Sequence, residues 1–290
     1  MIENQTSSNS FHLNITYGCH GEEYAIYVSS LLFAGVGLPL ALVAIVALRS
    51  VRADHVAPVY VINLLISDLL QLCCSVVLMV KSPVEICEYF RFLFNYGLMV
   101  SICFMVIISL ERYLSVAWPL WYRLRRNIRT SVKICIAAWL LCLSLYLICA
   151  FMVQLDFLMA CFLLLPVPLF IFFLWGTLKA LSQTRSVHTD EKRRIVAVLL
   201  LVLIIYTLLF LPDIIFLSSK NKNVHATAYI LLHFSPLADL GLYIFMRKGI
   251  GDKILNYLCG KMMPDSFNRS GQNSGTMEMG SRGPNRMNIY

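Results

Sequence analysis

Apolar residues gather along this chain in seven long blocks separated by short polar stretches. The blocks fall at approximately residues 24–48, 57–80, 88–117, 133–153, 157–181, 195–218 and 226–246. A helix needs ~20 apolar residues to cross the hydrocarbon core of a bilayer. Lipid offers no partner to a free backbone amide, so each block is expected to be a spanning helix. The stretch 133–178 needs its own argument, because after Lys133 it holds a single charge, Asp156. Its 46 residues would measure about 69 Å as one helix, at about 1.5 Å per residue. That is roughly twice the thickness of the core, so two helices are required. The pattern predicts an all-α membrane protein, a seven-transmembrane helix bundle over residues 24–246.

Composition excludes the main alternatives. Of 290 residues, 59% are hydrophobic and 14% charged, with a mean hydropathy of +0.72. Soluble domains carry about 45–50% apolar and about 25% charged residues, and a small core cannot absorb the excess. Cys73, Cys74, Cys103, Cys135, Cys142 and Cys149 lie within apolar blocks, where a thiol behaves as a small hydrophobe. No C-x-x-C pair occurs, so a structural zinc site has no support.

The net charge of +8 changes the picture through its distribution. With the N-terminus outside, 20 of the 24 Lys and Arg fall on the inner segments; Lys81, Arg91, Lys220 and Lys222 remain outside. The asymmetry satisfies the positive-inside rule and removes the nucleic-acid reading. Residues 1–23 contain no Lys or Arg and carry two glycosylation sequons, at Asn4 and Asn14. They read as an extracellular glycosylated tail. No apolar run precedes residue 24, so the first span is expected to act as the insertion signal. Residues 247–259 read as a short amphipathic helix on the membrane surface, closed by a candidate palmitoylation site, Cys259. Residues 260–290, rich in Gly, Ser, Asn and Met, have the composition of a disordered cytoplasmic tail.

The third block ends Leu110-Glu111-Arg112-Tyr113-Leu114-Ser115-Val116-Ala117-Trp118-Pro119-Leu120. This resembles the D/E-R-Y signature of rhodopsin-like (class A) G-protein-coupled receptors, with the Pro-Leu that follows it. Asn63 and Asp68 in the second block, Trp139 in the fourth, Pro166 in the fifth, Pro212 in the sixth and Tyr243 in the seventh fall at that family's positions. The resemblance implies a multi-pass plasma-membrane receptor that couples to a heterotrimeric G protein and is served by receptor kinases and arrestin. It implies no enzymatic activity. An arginine at the membrane boundary is costly unless paired, and neighbouring Glu111 is the expected partner for Arg112. Arg112, Tyr113 and Tyr243 are then the inner switch. Asp68 and Asp239 are ionisable groups in mid-membrane, which the family's geometry places near Ser101 and Ser235. Two carboxylates in one dry pocket require either a sodium ion between them or a proton on one of them.

Several positions depart from the family. Ala41 stands where the first helix has asparagine, Asp239-Leu240-Gly241-Leu242-Tyr243 lacks the usual proline, and Phe210 replaces the sixth-helix tryptophan, with Tyr206 and Pro212 nearby. Cys87 lies 25 residues before Arg112, where the family has a disulfide cysteine. Cys161 is the usual partner by chain order, yet it lies about one and a half turns before Pro166; Cys19 is the alternative. The outer halves of the third, sixth and seventh helices are expected to line a cavity. Arg91 and Asn95, Asp213, and the i, i+4, i+8 stripe His225, Tyr229 and His233 face it. Phe94 occupies the position at which amine receptors carry an acid.

The helix-one Gly-Leu-Pro, Asp239 and the Leu-Phe-Leu-Pro of helix six resemble the branch with purine-nucleotide, lipid and proton-sensing receptors. Protons are therefore a candidate stimulus, with His225 and His20 as titrating groups. Glu111-Arg112-Tyr113 with Pro119-Leu120-Trp121-Tyr122-Arg123 also resembles Mas-related receptors of peptides and small molecules. A small transporter or channel is the rival from another class, but no internal repeat or line of intramembrane charges supports it.

Overall fold

The computed structural model describes residues 24–50, 57–80, 83–120, 122, 127–151, 155–183, 189–219 and 222–246. The two tails lie outside this set, and with them Asn4, Asn14, Cys19, His20, Cys259 and the expected surface helix 247–259. The described residues form Tyr24–Ser50, Ala57–Leu78, Val84–Ala117, Ile128–Phe151, Leu155–Leu164, Pro166–Gln183, Thr189–Ser219 and Lys222–Met246. All are helices. Leu155–Leu164 and Pro166–Gln183 are two parts of the fifth span, giving seven helices long and apolar enough to cross a membrane.

Boundaries differ from the sequence expectation where apolarity and helicity part company. The sixth helix begins at Thr189 instead of 195, because Thr-Asp-Glu-Lys-Arg-Arg is helix-competent without being apolar. The third begins at Val84 instead of 88, directly after Pro83. The fifth is interrupted at Leu165, before Pro166, which has no N–H to continue the ladder. Pro39, Pro212 and Pro236 lie inside continuous helices.

The surface is apolar and the interior is where the polar side chains lie. Leu32, Val43, Val46, Leu140 and Leu208 are all more than half exposed, as residues facing lipid should be. Ser67, Asp68, Gln71, Ser101, Ser235 and Asp239 are fully buried. The main core takes residues from every span, including Leu64, Phe104, Ile108, Phe170, Tyr206, Phe210 and Leu242. A satellite cluster of Cys74, Leu78, Met79 and Phe94 sits toward the opposite end from Arg112, with Tyr27, Phe90 and Leu232 against it.

The second and third spans make the most extensive helix pairing. Gly97 permits it, since a Cβ there would meet the Gln71 Cγ at 3.0 Å and the Ser67 carbonyl at 3.3 Å. Hydrogen bonds bring in the fourth span. The Trp139 indole N–H donates to the Asn63 Oδ1 at 3.1 Å, and the Asn63 amide donates to the Val59 carbonyl at 2.9 Å. The Tyr96 hydroxyl donates to the Trp139 carbonyl at 3.1 Å while its ring meets the indole edge-on.

Replacing Asn63 by Leu leaves the indole N–H without its acceptor in an apolar setting. Interhelical hydrogen bonds in membranes contribute about 0.6–1.7 kcal/mol, and about 1 kcal/mol moves Tm by about 2–4 °C in a chain of this size. Thermal unfolding of Asn63→Leu in detergent should therefore come a few degrees below wild type. An unchanged Tm would remove this clamp from the account.

Candidate functional site

Polar side chains run through the bundle between the second, third and seventh spans. At the centre the Ser101 hydroxyl donates to Asp239 Oδ2 at 3.0 Å, and the Asp68 carboxyl lies beside both residues. The Gln71 amide approaches Asp68 Oδ1 at 3.5 Å. Three oxygens here are buried without a partner, Asp68 Oδ2, Asp239 Oδ1 and Gln71 Oε1, and so is the Ser235 Oγ one turn before Asp239. Of the expected quartet, Ser235 is buried one turn before Asp239 on the same helix, while Asp68, Ser101 and Asp239 are thus brought together, with Gln71 added. Its oxygen donor set suits a hard cation, and the unmatched carboxylate oxygens are what such an ion would satisfy. Among the described residues no group of three or more His, Cys, Asp or Glu could hold a metal, so the hydroxyls and Gln71 are needed to complete one.

At the end opposite Arg112, the His233 ring is stacked between Tyr229 and Phe94, with centroids 4.2 and 4.5 Å away. Its Nδ1 lies 3.0 Å from the Tyr229 carbonyl. A carbonyl only accepts, so Nδ1 carries the proton and Nε2 of the neutral ring is left as an acceptor. That Nε2 is buried without a partner. The helical stripe thus brings Tyr229 and His233 together, while the His225 side chain lies outside the described residues. Asn95 is half-buried and Asp213 half-buried within electrostatic range of Tyr206. Arg91 departs from its expectation as a cavity residue. It is half exposed and paired with Glu88 at 2.5 Å, one turn away on its own helix, so it stays at the surface.

At the basic end the expected Glu111–Arg112 pair is absent. Consecutive helical side chains do not face one another, and Glu111 turns inward to accept a hydrogen bond from the Tyr122 hydroxyl. Its other oxygen, and the Arg112 Nε, are buried without partners. Tyr113 stacks on Phe173 and meets Phe172 edge-on, with centroids 5.8 and 5.9 Å away. Tyr243 packs on the main core. Higher in the bundle, the Tyr206 hydroxyl donates to the Leu163 carbonyl, just before the interruption in the fifth span, and its ring is 4.6 Å from Phe210. Pro212 follows half-buried.

The cysteines depart from the usual pairing, as the position of Cys161 close before Pro166 suggested. Cys87 is disulfide-bonded, whereas Cys161 is a free, exposed thiol. With the helix starting at Leu155, Cys161 lies within the fifth span instead of in the loop before it. Cys19, the alternative, lies outside the described residues.

Sequence reasoning missed the role of Tyr122, which stands in a loop where periodicity says nothing. It also missed Gln71, one turn from Asp68, although that spacing was visible. The notch at Gly176 carries no sequence signal at all: a Cβ there would stand 2.6 Å from the Tyr113 Cε2.

The described residues thus form seven helices of membrane-spanning length with buried carboxyls at the centre and an arginine toward one end. Residues 40–159 match the family described as 7 transmembrane receptor (rhodopsin family). The chain is 33% identical over 134 residues to free fatty acid receptor 3 of Homo sapiens, a stretch covering 43% of this chain and 38% of that protein. It is 35% identical over 91 residues to Mas-related G-protein coupled receptor member B5 of Mus musculus, covering 30% and 28%. With Mas-related G-protein coupled receptor member B2 of Mus musculus it shares 28% over 161 residues, covering 50% and 45%. The chain spans less than half the length of these curated relatives. In these matches the chain is similar to rhodopsin-like (class A) receptors over part of its length.

Gly176→Ala forces the Tyr113 ring to move. Overpacking of this kind costs about 1–3 kcal/mol, so Tm in detergent should fall by several degrees, and the additional change Tyr113→Leu should recover most of the loss. A Gly176→Ala chain as stable as wild type would show that the ring yields freely.

Proposed function

We propose that this chain is a cell-surface receptor that carries an extracellular stimulus, protons or a small ligand, to heterotrimeric G proteins. Its N-terminus lies outside and its basic end faces the cytosol, where receptor kinases and arrestin also act. The observation that supports the reading above all others is Arg112. It sits at the basic end of the longest helix, its side chain in no ion pair among the described residues, with Tyr113 fixed beside it on the fifth span. An unpaired guanidinium at a membrane boundary is costly to keep, and a planar donor fork is suited to carbonyls and carboxylates of a protein partner. The stimulus would be read at the other end, where Phe94, Tyr229 and His233 present an aromatic stack and one free acceptor.

Purified full-length chain in nanodiscs, tested with a panel of heterotrimeric G proteins and a non-hydrolysable GTP analogue, should load nucleotide without agonist. Arg112→Ala should reduce loading to the receptor-free rate. Absence of loading by wild type with every G protein, or loading that survives Arg112→Ala, would contradict the reading.

The central carboxyls would hold a sodium ion in the resting receptor, through Asp68, Asp239, Ser101 and Ser235. Such an ion supplies the positive charge that two buried carboxylates lack. With sodium at about five times its Kd, linkage contributes about 1 kcal/mol. Tm in sodium chloride should therefore exceed that in choline chloride by about 2–4 °C, and Asp239→Asn should abolish the difference. Equal Tm values in the two salts for wild type would exclude the ion.

A further inference from the structure

The fourth span turns small side chains toward the third, and small residues let two helix backbones approach closely. Cys135, Ala138 and Cys142 recur at helical spacing, and all three are buried. On the third span Phe92, Tyr96, Met99 and Cys103 share the facing stripe. Phe92 meets Tyr146 edge-on at 4.7 Å, and the Tyr96 hydroxyl reaches the Trp139 carbonyl. Between them the Cys142 Sγ approaches the Met99 carbonyl at 3.8 Å, so it touches the backbone of the opposite helix. Cys103 stands one turn after Met99, and a helical side chain leans over the turn that precedes it. The Cys103 and Cys142 thiols accordingly meet, within hydrogen-bond reach of each other. Both are free cysteines.

We propose that Cys103 and Cys142 are a redox modification site, closed to a disulfide between the third and fourth spans by a bilayer-soluble organic hydroperoxide. Cys103 lies near the middle of a 34-residue helix, in the apolar interior that such an oxidant enters. It is only partly buried, whereas Cys142 is 2% exposed, so the oxidant meets Cys103 first. The Cys103 sulfur attacks the hydroperoxide; an S–O bond forms, the O–O bond breaks, and the alcohol leaves with the thiol proton. The Cys142 sulfur then attacks the resulting sulfenic acid; the S–S bond forms, the S–O bond breaks, and water leaves with the second proton. Two thiols lose two electrons, and the hydroperoxide gains them. Thiols already in contact reach the ~2.05 Å of an S–S bond by a small approach of their side chains. The other free thiols described have no such neighbour. Cys73 and Cys74 point apart, one exposed and one buried, Cys135 lies two turns from Cys142 on the same helix, and Cys161 is exposed on the fifth span.

The test reads sulfur chemistry alone and does not depend on the receptor reading. Full-length chain in nanodiscs is exposed to cumene hydroperoxide, denatured with a maleimide to cap free thiols, digested without reduction and analysed by mass spectrometry. A linked peptide pair holding Cys103 and Cys142 should appear, lighter than the two thiol peptides by two hydrogens, and dithiothreitol should separate it. Dimedone, which traps sulfenic acid, should label Cys103 several-fold more in Cys142→Ser than in wild type, because the resolving thiol is gone. The wild-type measurement stands even if that variant does not fold. Recovery of Cys103 and Cys142 as capped thiols from wild type, while the exposed Cys161 is oxidised, would overturn the inference. So would a link from Cys103 to any other cysteine, or equal dimedone labelling of Cys103 in wild type and Cys142→Ser.

Discussion

Lipid offers no hydrogen bonds, and that constraint organises the molecule. Backbone groups inside the bilayer must be satisfied within their own segment, so the described spans are helices. Side-chain hydroxyls follow the same rule. Ser67 donates to the Leu64 carbonyl, Ser75 to Leu72, Thr177 to Phe173 and Thr207 to Leu203, all within one turn of the same helix. These bonds hide a polar group without demanding a partner helix. They let a serine or threonine be buried without specifying any helix pairing.

Against that background the polar atoms left without partners stand out. Among the described residues Ser30, Asp68, Gln71, Ser109, Glu111, Arg112, His233, Ser235 and Asp239 each have one, and all but Ser30 of the first span lie on the second, third or seventh. Buried unpartnered groups cost more than ordinary hydrogen bonds return, so a sequence serving only stability would have replaced them with apolar residues. Their concentration on three spans separates two parts of the bundle. The fourth span contributes a scaffold through the Trp139 clamp, while the second, third and seventh carry groups that a ligand, an ion or a protein partner can complete.

Much of this was legible in the residues alone. Seven apolar blocks gave seven spans, and the positions of Asp68, Ser101 and Asp239 on separate helices anticipated their meeting at one point. Seven spans required only a count of apolar length, and the meeting point required only a resemblance in spacing. The failures share a physical cause. Arg91 was placed in a cavity because it lay one turn from Asn95, but helical phase does not reveal that Glu88, a turn earlier, holds it at the surface. Glu111 and Arg112 were paired on sequence adjacency, although adjacent helical residues point apart. Tyr122 belongs to a turn after Pro119, where no periodicity tells which way a side chain points. Sequence reveals which faces are buried better than it reveals which polar groups meet.

The fifth span joins the two halves of the site. Phe170 meets the Tyr206 ring of the sixth span edge-on at 5.2 Å. Three residues on, Phe173 stacks on Tyr113 of the third span at 5.8 Å. Residues three apart lie on one helix face, so a single face contacts both neighbours. The Tyr206 hydroxyl grips the Leu163 carbonyl of the same span, immediately before the ladder breaks at Leu165. Tyr206 is 0% exposed, and separating the sixth span from the fifth would bury its hydroxyl without an acceptor. Gly176, on the fifth span, leaves room for the Tyr113 ring that a Cβ there would meet at 2.6 Å. One face of the fifth span thus links Tyr206 of the sixth to Tyr113 of the third, the residue after Arg112, through close-packed rings.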